Sequence, residues 1–301
     1  MTSTSLIGSR SAGVRRCGRT LAFAWLVTLV LSSLPAIVAV ELAGVRPDAA
    51  HWGTAAAAVP LSALAWAWRP ARPVRRYLLV MLVVFGVAYL LPPLLGGWTG
   101  TGGSALSQAL ASKTVFLVVA AAVAGLLVGG LRMTPREALL TPGHLAAPSG
   151  LRLPGRSRGV SWAVLGPVAA GGLFALLATS VWLESGLEPA AWERLVPVLP
   201  LVIACAAFNA LSEEVVYRSG PLATLIGVVG SRQAVLLTSV WFGLAHYSGS
   251  VPEGFDGVLQ SGALALLLGG AMVATRGLGW PLLIHFAVDL VVFASIAVVS
   301  S

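Results

Sequence analysis

Charge is what this 301-residue sequence has least of. Its 19 Lys and Arg and 11 Asp and Glu amount to 10% of the residues, where a soluble domain carries about a quarter. That shortage excludes an ordinary water-soluble fold. Cysteine is nearly absent: Cys17 stands beside Arg16 and Cys205 lies inside an apolar run. Two such isolated residues make neither a disulfide framework nor a cysteine-based metal spacing. What is present instead is 57% hydrophobic residues, 34 glycines and a mean hydropathy of +0.89. The chain is built for a bilayer, and its net charge of +8 reads first as a membrane-orientation signal rather than as affinity for nucleic acid.

About 17 to 25 apolar residues are needed to cross some 30 Å of hydrocarbon. Runs near that length predict helices over Leu21–Val40, Trp52–Trp68, Tyr77–Leu95, Thr114–Leu131, Val160–Leu183, Leu195–Ser212, Ala234–Tyr247, Val258–Thr275 and Trp280–Val299. The expected architecture is therefore an all-α, polytopic membrane bundle of eight or nine transmembrane helices. The first run is long and has no clean small-x-small cleavage site, so it is expected to be a retained helix rather than a removed signal. Loop charge predicts a cytoplasmic N-terminus. Arg10, Arg15, Arg16 and Arg19, then Arg69, Arg72, Arg75 and Arg76, then Arg132, Arg136, Arg152, Arg156 and Arg158, and finally Arg218, Arg232 and Arg276 all fall on one parity. Only Arg46, Lys113 and Arg194 fall on the other. The longest loop, 132–159, is a Pro/Gly/Arg linker without apolar periodicity. Tryptophans such as Trp52, Trp66 and Trp280 cluster at run ends, as interfacial anchors do.

An ionisable group inside hydrocarbon costs several kcal/mol, so those that remain there mark pairing or chemistry. The first five runs contain none. The last third holds Glu213, Glu214 and Arg218, then His246, then His285 and Asp289. Glu214 and Arg218 are i and i+4, acid first, which is the favourable order for an intrahelical pair. Glu213 points about 100° away, toward Asn209 and Tyr217, and is expected to be the one left without a cation; it is the better candidate for a base. Phe242 with His246, and His285 with Asp289, each share a helix face. There is no His-Glu-x-x-His, no Gly-x-Gly-Asp (Asp256 lies in Gly254-Phe255-Asp256-Gly257), and no Gly-x-Ser-x in an apolar run. Glu214 and His246 lie sixteen residues either side of Gly230 and so fall level in a helical hairpin. For His285 to join them, the elbow from Gly220-Pro221 to Arg232 is expected to break the helix and project, with a cavity opening toward the cytoplasmic leaflet.

Three motifs remain in order: Glu213-Glu214-Val215-Val216-Tyr217-Arg218, Phe242-Gly243-Leu244-Ala245-His246, and His285-Phe286-Ala287-Val288-Asp289, the last preceded by Thr275-Arg276-Gly277-Leu278-Gly279-Trp280. Together they resemble the CPBP family, the CAAX-protease and bacteriocin-processing enzymes also called Abi. The likeness spans about 80 residues, with Asp289 where the prenyl-protease branch has asparagine. It implies an N-terminal transmembrane region over 1–159, a catalytic transmembrane region over 160–301 with its motifs within 209–289, and residence in a bacterial cell membrane. It also implies peptide-bond hydrolysis of lipidated, CAAX-like or otherwise hydrophobic peptides or membrane proteins. A glutamate, Glu213 or Glu214, and His246 would activate a water, with His285 and Asp289 supporting the transition state and Arg218, Asn209 and Phe242 positioning them. The same residue types admit a second chemistry, because Glu213, Glu214, His246 and His285 match a zinc ligand set with one position open for water. A rival of another class is a non-catalytic immunity or scaffold protein or a small transporter.

Overall fold

A computed structural model describes residues 5–91, 103–152, 159–185, 189–248 and 253–299. Residues 92–95 of the third expected run, and Arg156 and Arg158, lie outside these. The described chain is helical, and its β geometry is a single isolated bridge between Pro148 and Ser161. Among the described residues six helical stretches are long and apolar enough to cross a bilayer, or seven if one bent pair is a single span. The eight or nine expected from apolar runs exceed this for two reasons. The run at Trp52–Trp68 forms an alanine-rich helix diluted by His51, Gly53 and Thr54, and the run at Ala234–Tyr247 forms a helix of 15 residues, about 23 Å long. The chain divides into two compact units, each drawing on both halves of the sequence.

The first unit comprises Met1–Leu90 and Gly220–Leu266. Its first predicted helix is broken in two: α1 (Ser5–Val30) and α2 (Leu34–Ala43) meet at 54°. Pro35 explains the bend, since it lacks an N–H and its ring meets the carbonyl four residues back. Gly44, at φ 61°, closes α2 by donating to Val40 O, while Val45 donates to Ala39 O, a left-handed glycine ending. α3 (Pro47–Ala67), a 3-10 turn (Arg69–Val74) and α4 (Arg75–Phe85) follow. Phe23, Val27, Leu78 and Met81 are buried in this unit, and Tyr77 Oη and Thr28 Oγ1 are hydrogen-bonded at 2.7 Å. α8 (Gly220–Val229) and α9 (Ser231–Ala245) form a hairpin about Gly230, whose φ is 83°. A side-chain carbon on Gly243 of α9 would fall 2.6 Å from Val258 O of α10 (Gly254–Thr275). The missing side chain is what lets these two backbones touch.

The second unit comprises Leu91–Ser219 and Leu267–Ser301. α5 (Ala105–Gly125) begins nine residues before the predicted Thr114, because Ser104 caps it, its Oγ accepting from Ser107 N, ahead of a run of helix-forming residues. α6 (Trp162–Ser185), α7 (Pro189–Glu214) and α11 (Gly279–Val299) complete the bundle. Val202, Cys205 and Ala206 of α7 pack on Leu106 of α5 and on Phe293 and Ala297 of α11. α6 turns Val164, Val168, Phe174 and Leu176 outward, as a lipid-facing helix does.

The helical chain does not break at Gly220-Pro221 as expected. α7 passes through a five-residue π turn, Val215–Ser219, into α8. Pro221 is the second residue of the new segment, where a missing N–H costs little, and the wider π turn absorbs the change of pitch. The described part of the linker, 132–152, is also more ordered than its composition suggests. His144 N donates to Thr275 O at 2.7 Å, Leu278 N to Thr141 O at 2.8 Å, Gly279 N to Pro142 O at 3.1 Å and Trp280 Nε1 to Leu145 O at 2.8 Å. The loop is thereby laid onto the turn between α10 and α11.

Candidate active site

The C-terminal end of α7 and the π turn after it carry Asn209, Glu213, Glu214 and Arg218, and α11 carries His285 and Asp289. The second unit brings all six together. Glu214 is at the centre, with no exposed surface. Its Oε1 accepts from Arg218 Nη1 at 2.8 Å and lies 2.7 Å from His285 Nδ1. The i,i+4 pair expected from the sequence is thus present, and Arg218, counted above among loop cations, is 1% exposed and part of the core. A carboxylate oxygen already held by a guanidinium makes His285 Nδ1 the proton-bearing nitrogen. The other ring nitrogen, Nε2, then points between two further acids, 3.6 Å from Glu213 Oε2 and 3.7 Å from Asp289 Oδ1. These separations exceed a hydrogen bond and suit a bridging group such as water.

Two expectations are corrected here. Glu213 does have a cation beside it: Lys113 Nζ is 3.8 Å from Glu213 Oε1. Lys113 had been counted as a loop residue because the apolar run begins at Thr114, but α5 starts earlier and carries it inside a candidate span. The readable signal was the small and apolar residues Ala105–Ala111 on its other side. Asn209, placed by spacing next to Glu213, instead donates from Nδ2 to Asp289 Oδ2 at 3.0 Å. Asp289 is therefore held from two helices, by Asn209 of α7 and by its own place on α11.

Three carboxylates, Glu213, Glu214 and Asp289, face two permanent cations, Lys113 and Arg218. One further proton on His285 or the acids would bring the group to neutrality. Charge removed from water is tolerated only when it is balanced by opposite charge, and a proton with several neighbouring acceptors is what acid–base catalysis requires.

His246 and Phe242 belong to the first unit. His246 ends α9, its Nδ1 2.8 Å from Phe242 O and its ring centroid 4.3 Å from that of Phe242. A carbonyl only accepts, so in the neutral ring Nδ1 carries the hydrogen. His51 packs against Phe85 and Tyr89, as an incidental histidine would. Among the described residues no group of three or more His, Cys, Asp or Glu is arranged to hold a metal. Glu214 Oε1 is taken up by two nitrogen neighbours, while its Oε2 has no hydrogen-bond partner among the described residues.

No curated protein and no solved structure matches the chain. Residues 195–291 match the family model described as Type II CAAX prenyl endopeptidase Rce1-like. That segment holds all three motifs and every member of the cluster except Lys113. The multi-pass membrane helices and this match agree with the CPBP likeness of the motifs and align the region from Leu195 to Val291 with the CAAX-type intramembrane endopeptidases.

Proposed function

We propose that the protein is an intramembrane endopeptidase that cuts lipidated, CAAX-like or otherwise hydrophobic peptides by activating water with side chains. The observation that carries this reading is the cluster around buried Glu214, whose Oε1 meets both Arg218 Nη1 and His285 Nδ1. Glu213 is the general base. A water lying against Glu213 Oε2 and His285 Nε2 gives its proton to the carboxylate as its oxygen adds to the peptide carbonyl carbon. The carbonyl π pair becomes the oxyanion, which a proton on His285 Nε2 stabilises; such an electrostatic contribution is often worth about 3 kcal/mol. When the C–N bond breaks, the proton on Glu213 passes to the leaving amine. Glu214 and Arg218 hold the imidazole in place, and Asn209 holds Asp289. His246 enters on its motif, which implies that it activates the water together with a glutamate.

Support for a cytoplasmic-leaflet site comes from unit two alone. The arginine-bearing loop rests on the turn that precedes α11, and His285 is six residues, about 9 Å, beyond Gly279. His285 therefore lies in the third of α11 nearest the basic loop and Asp289 at its middle, which supports a site opening toward the cytoplasmic leaflet.

The test is cleavage of a panel of hydrophobic and lipidated peptides in detergent by the native chain and by Glu213→Ala, Glu214→Ala, His246→Ala and His285→Ala. Losing a positioned acid or base is expected to lower the rate about 10²–10⁴-fold. Undiminished activity in all four would refute the enzyme reading and favour a scaffold. Abolition by a chelator with return on adding zinc would replace the side-chain mechanism by a metal one.

A further inference from the structure

A second polar site lies apart from the acid cluster, in the same unit. A pocket of about 480 Å³ is lined by Arg136, Thr141, Pro142, Gly143, His144 and Arg276. Its walls contain two guanidinia and an imidazole and no carboxylate. Neither Arg136 nor Arg276 has an ion-pair partner among the described residues. Glu137, the acid nearest in sequence, turns instead to Thr134, accepting from its N at 2.8 Å and from its Oγ1 at 2.9 Å. Both guanidinia and His144 are exposed, so the pocket presents positive charge that no carboxylate among its lining residues neutralises.

The frame of the pocket is rigid. Four hydrogen bonds tie the loop that carries most of its lining to the α10–α11 turn that carries Arg276, and side chains at Gly143 or Gly277 would collide with the opposing backbone. Arg276 itself has φ 57°, a conformation that an L-residue with a side chain adopts only when its surroundings fix it. The location restricts the ligand. Thr275 ends one candidate span and Gly279 begins the next, and Trp280, of a residue type that anchors at bilayer surfaces, is bonded to the pocket's own loop. An arginine pair open to water at the ends of two apolar helices sits at headgroup level.

We propose that this pocket binds the phosphate of an anionic phospholipid headgroup, Arg136 and Arg276 gripping the phosphate oxygens and His144 adding a donor. Guanidinium forks suit phosphate oxygens geometrically, and a volume of this size lies in the range of small-ligand pockets. Bound lipid would tie the 132–152 loop and the start of α11 to one leaflet. The proposal is independent of the proteolytic reading.

Native mass spectrometry of the detergent-purified full chain, titrated in turn with phosphatidylglycerol, phosphatidylcholine and inorganic phosphate, tests it. Phosphatidylglycerol is expected to bind more tightly than phosphatidylcholine. The Arg136→Gln/Arg276→Gln double variant should lose about 25-fold of that affinity, roughly fivefold for each cation. Arg276→Gly guards against misfolding, since it removes the charge while easing the positive φ, and it should bind phosphatidylglycerol about fivefold more weakly with thermal stability retained. Unchanged phosphatidylglycerol binding in the double variant would overturn the proposal. Displacement of the lipid by low-millimolar inorganic phosphate would overturn the lipid as source in favour of a free anion. Binding of a peptide's terminal carboxylate, lost on the same substitutions and stronger than that of the lipid, would assign the pocket to substrate instead.

Discussion

Replacing Arg218 by methionine removes the guanidinium from Glu214 while keeping most of the side-chain volume. Both groups are out of contact with water and meet at 2.8 Å, so the carboxylate loses a charge-assisted hydrogen bond and gains no solvent in exchange. Breaking such a pair from one side costs about 3–5 kcal/mol. His285 Nδ1 remains 2.7 Å from the same oxygen and can still supply one hydrogen bond, which places the expected cost near the low end, about 3 kcal/mol. Glu214→Gln strands the opposite charge and is expected to cost a similar amount. The double variant Glu214→Gln/Arg218→Met strands neither. It should be destabilised by only about 1 kcal/mol, since removing both partners of a buried bond is often nearly neutral. Reversible unfolding in mixed dodecylmaltoside and dodecylsulfate micelles, followed by tryptophan fluorescence, measures all three. An interaction energy of at least about 2 kcal/mol is expected. If the two single effects add in the double variant to within about 0.5 kcal/mol, the pair is not the buried, mutually dependent unit described here and the charge accounting of the site fails.

Lys113 is expected to matter through its sign. Lys113→Met should lower kcat/KM for peptide cleavage about tenfold and Lys113→Arg by threefold or less, so that equal losses in the two variants would remove Lys113 from the site. Gly277→Ala places a methyl group against Thr141 O and Gly143 N, and overpacking of this kind costs about 1–3 kcal/mol. The loop should lift from the α10–α11 turn, and limited trypsin digestion should cut after Arg132 and Arg136 several-fold faster than in the native chain. An unchanged cleavage rate would show that the loop is not held by that contact.

The parts of the site legible in the sequence are those that one helix decides alone. Glu214 with Arg218, His285 with Asp289 and Phe242 with His246 are all four residues apart, and helical geometry puts each pair on one face wherever the helix goes. The contact between Glu214 and His285 spans 71 residues and has no local signature; only the family likeness of the motifs pointed to it. Lys113, a hundred residues from Glu213, had neither a motif nor a periodicity to betray it. Loop-charge counting misplaced it, because that method takes the edge of an apolar run for the edge of a helix. Ser104 and the alanines that follow it carry α5 past that edge.

The remaining misreadings have a common cause, namely that backbone hydrogen bonding leaves little trace in side-chain pattern. Gly-Pro signals a break in a continuous α-helix, yet Pro221 needs no N–H partner when a π turn ends just before it and a new segment is starting. The 132–152 loop shows no apolar period because it is held by main-chain bonds to Thr275, Leu278 and Gly279, and its sequence traces are the glycines at 143 and 277 that permit the close approach. Apolar side chains in a bilayer are nearly interchangeable, so packing of the scaffold cannot be read from their order. Charged ones are not interchangeable: each must meet a partner or water. That requirement made the acid cluster visible in the sequence, and it gives Arg136 and Arg276, which meet neither carboxylate nor burial, their significance at the membrane surface.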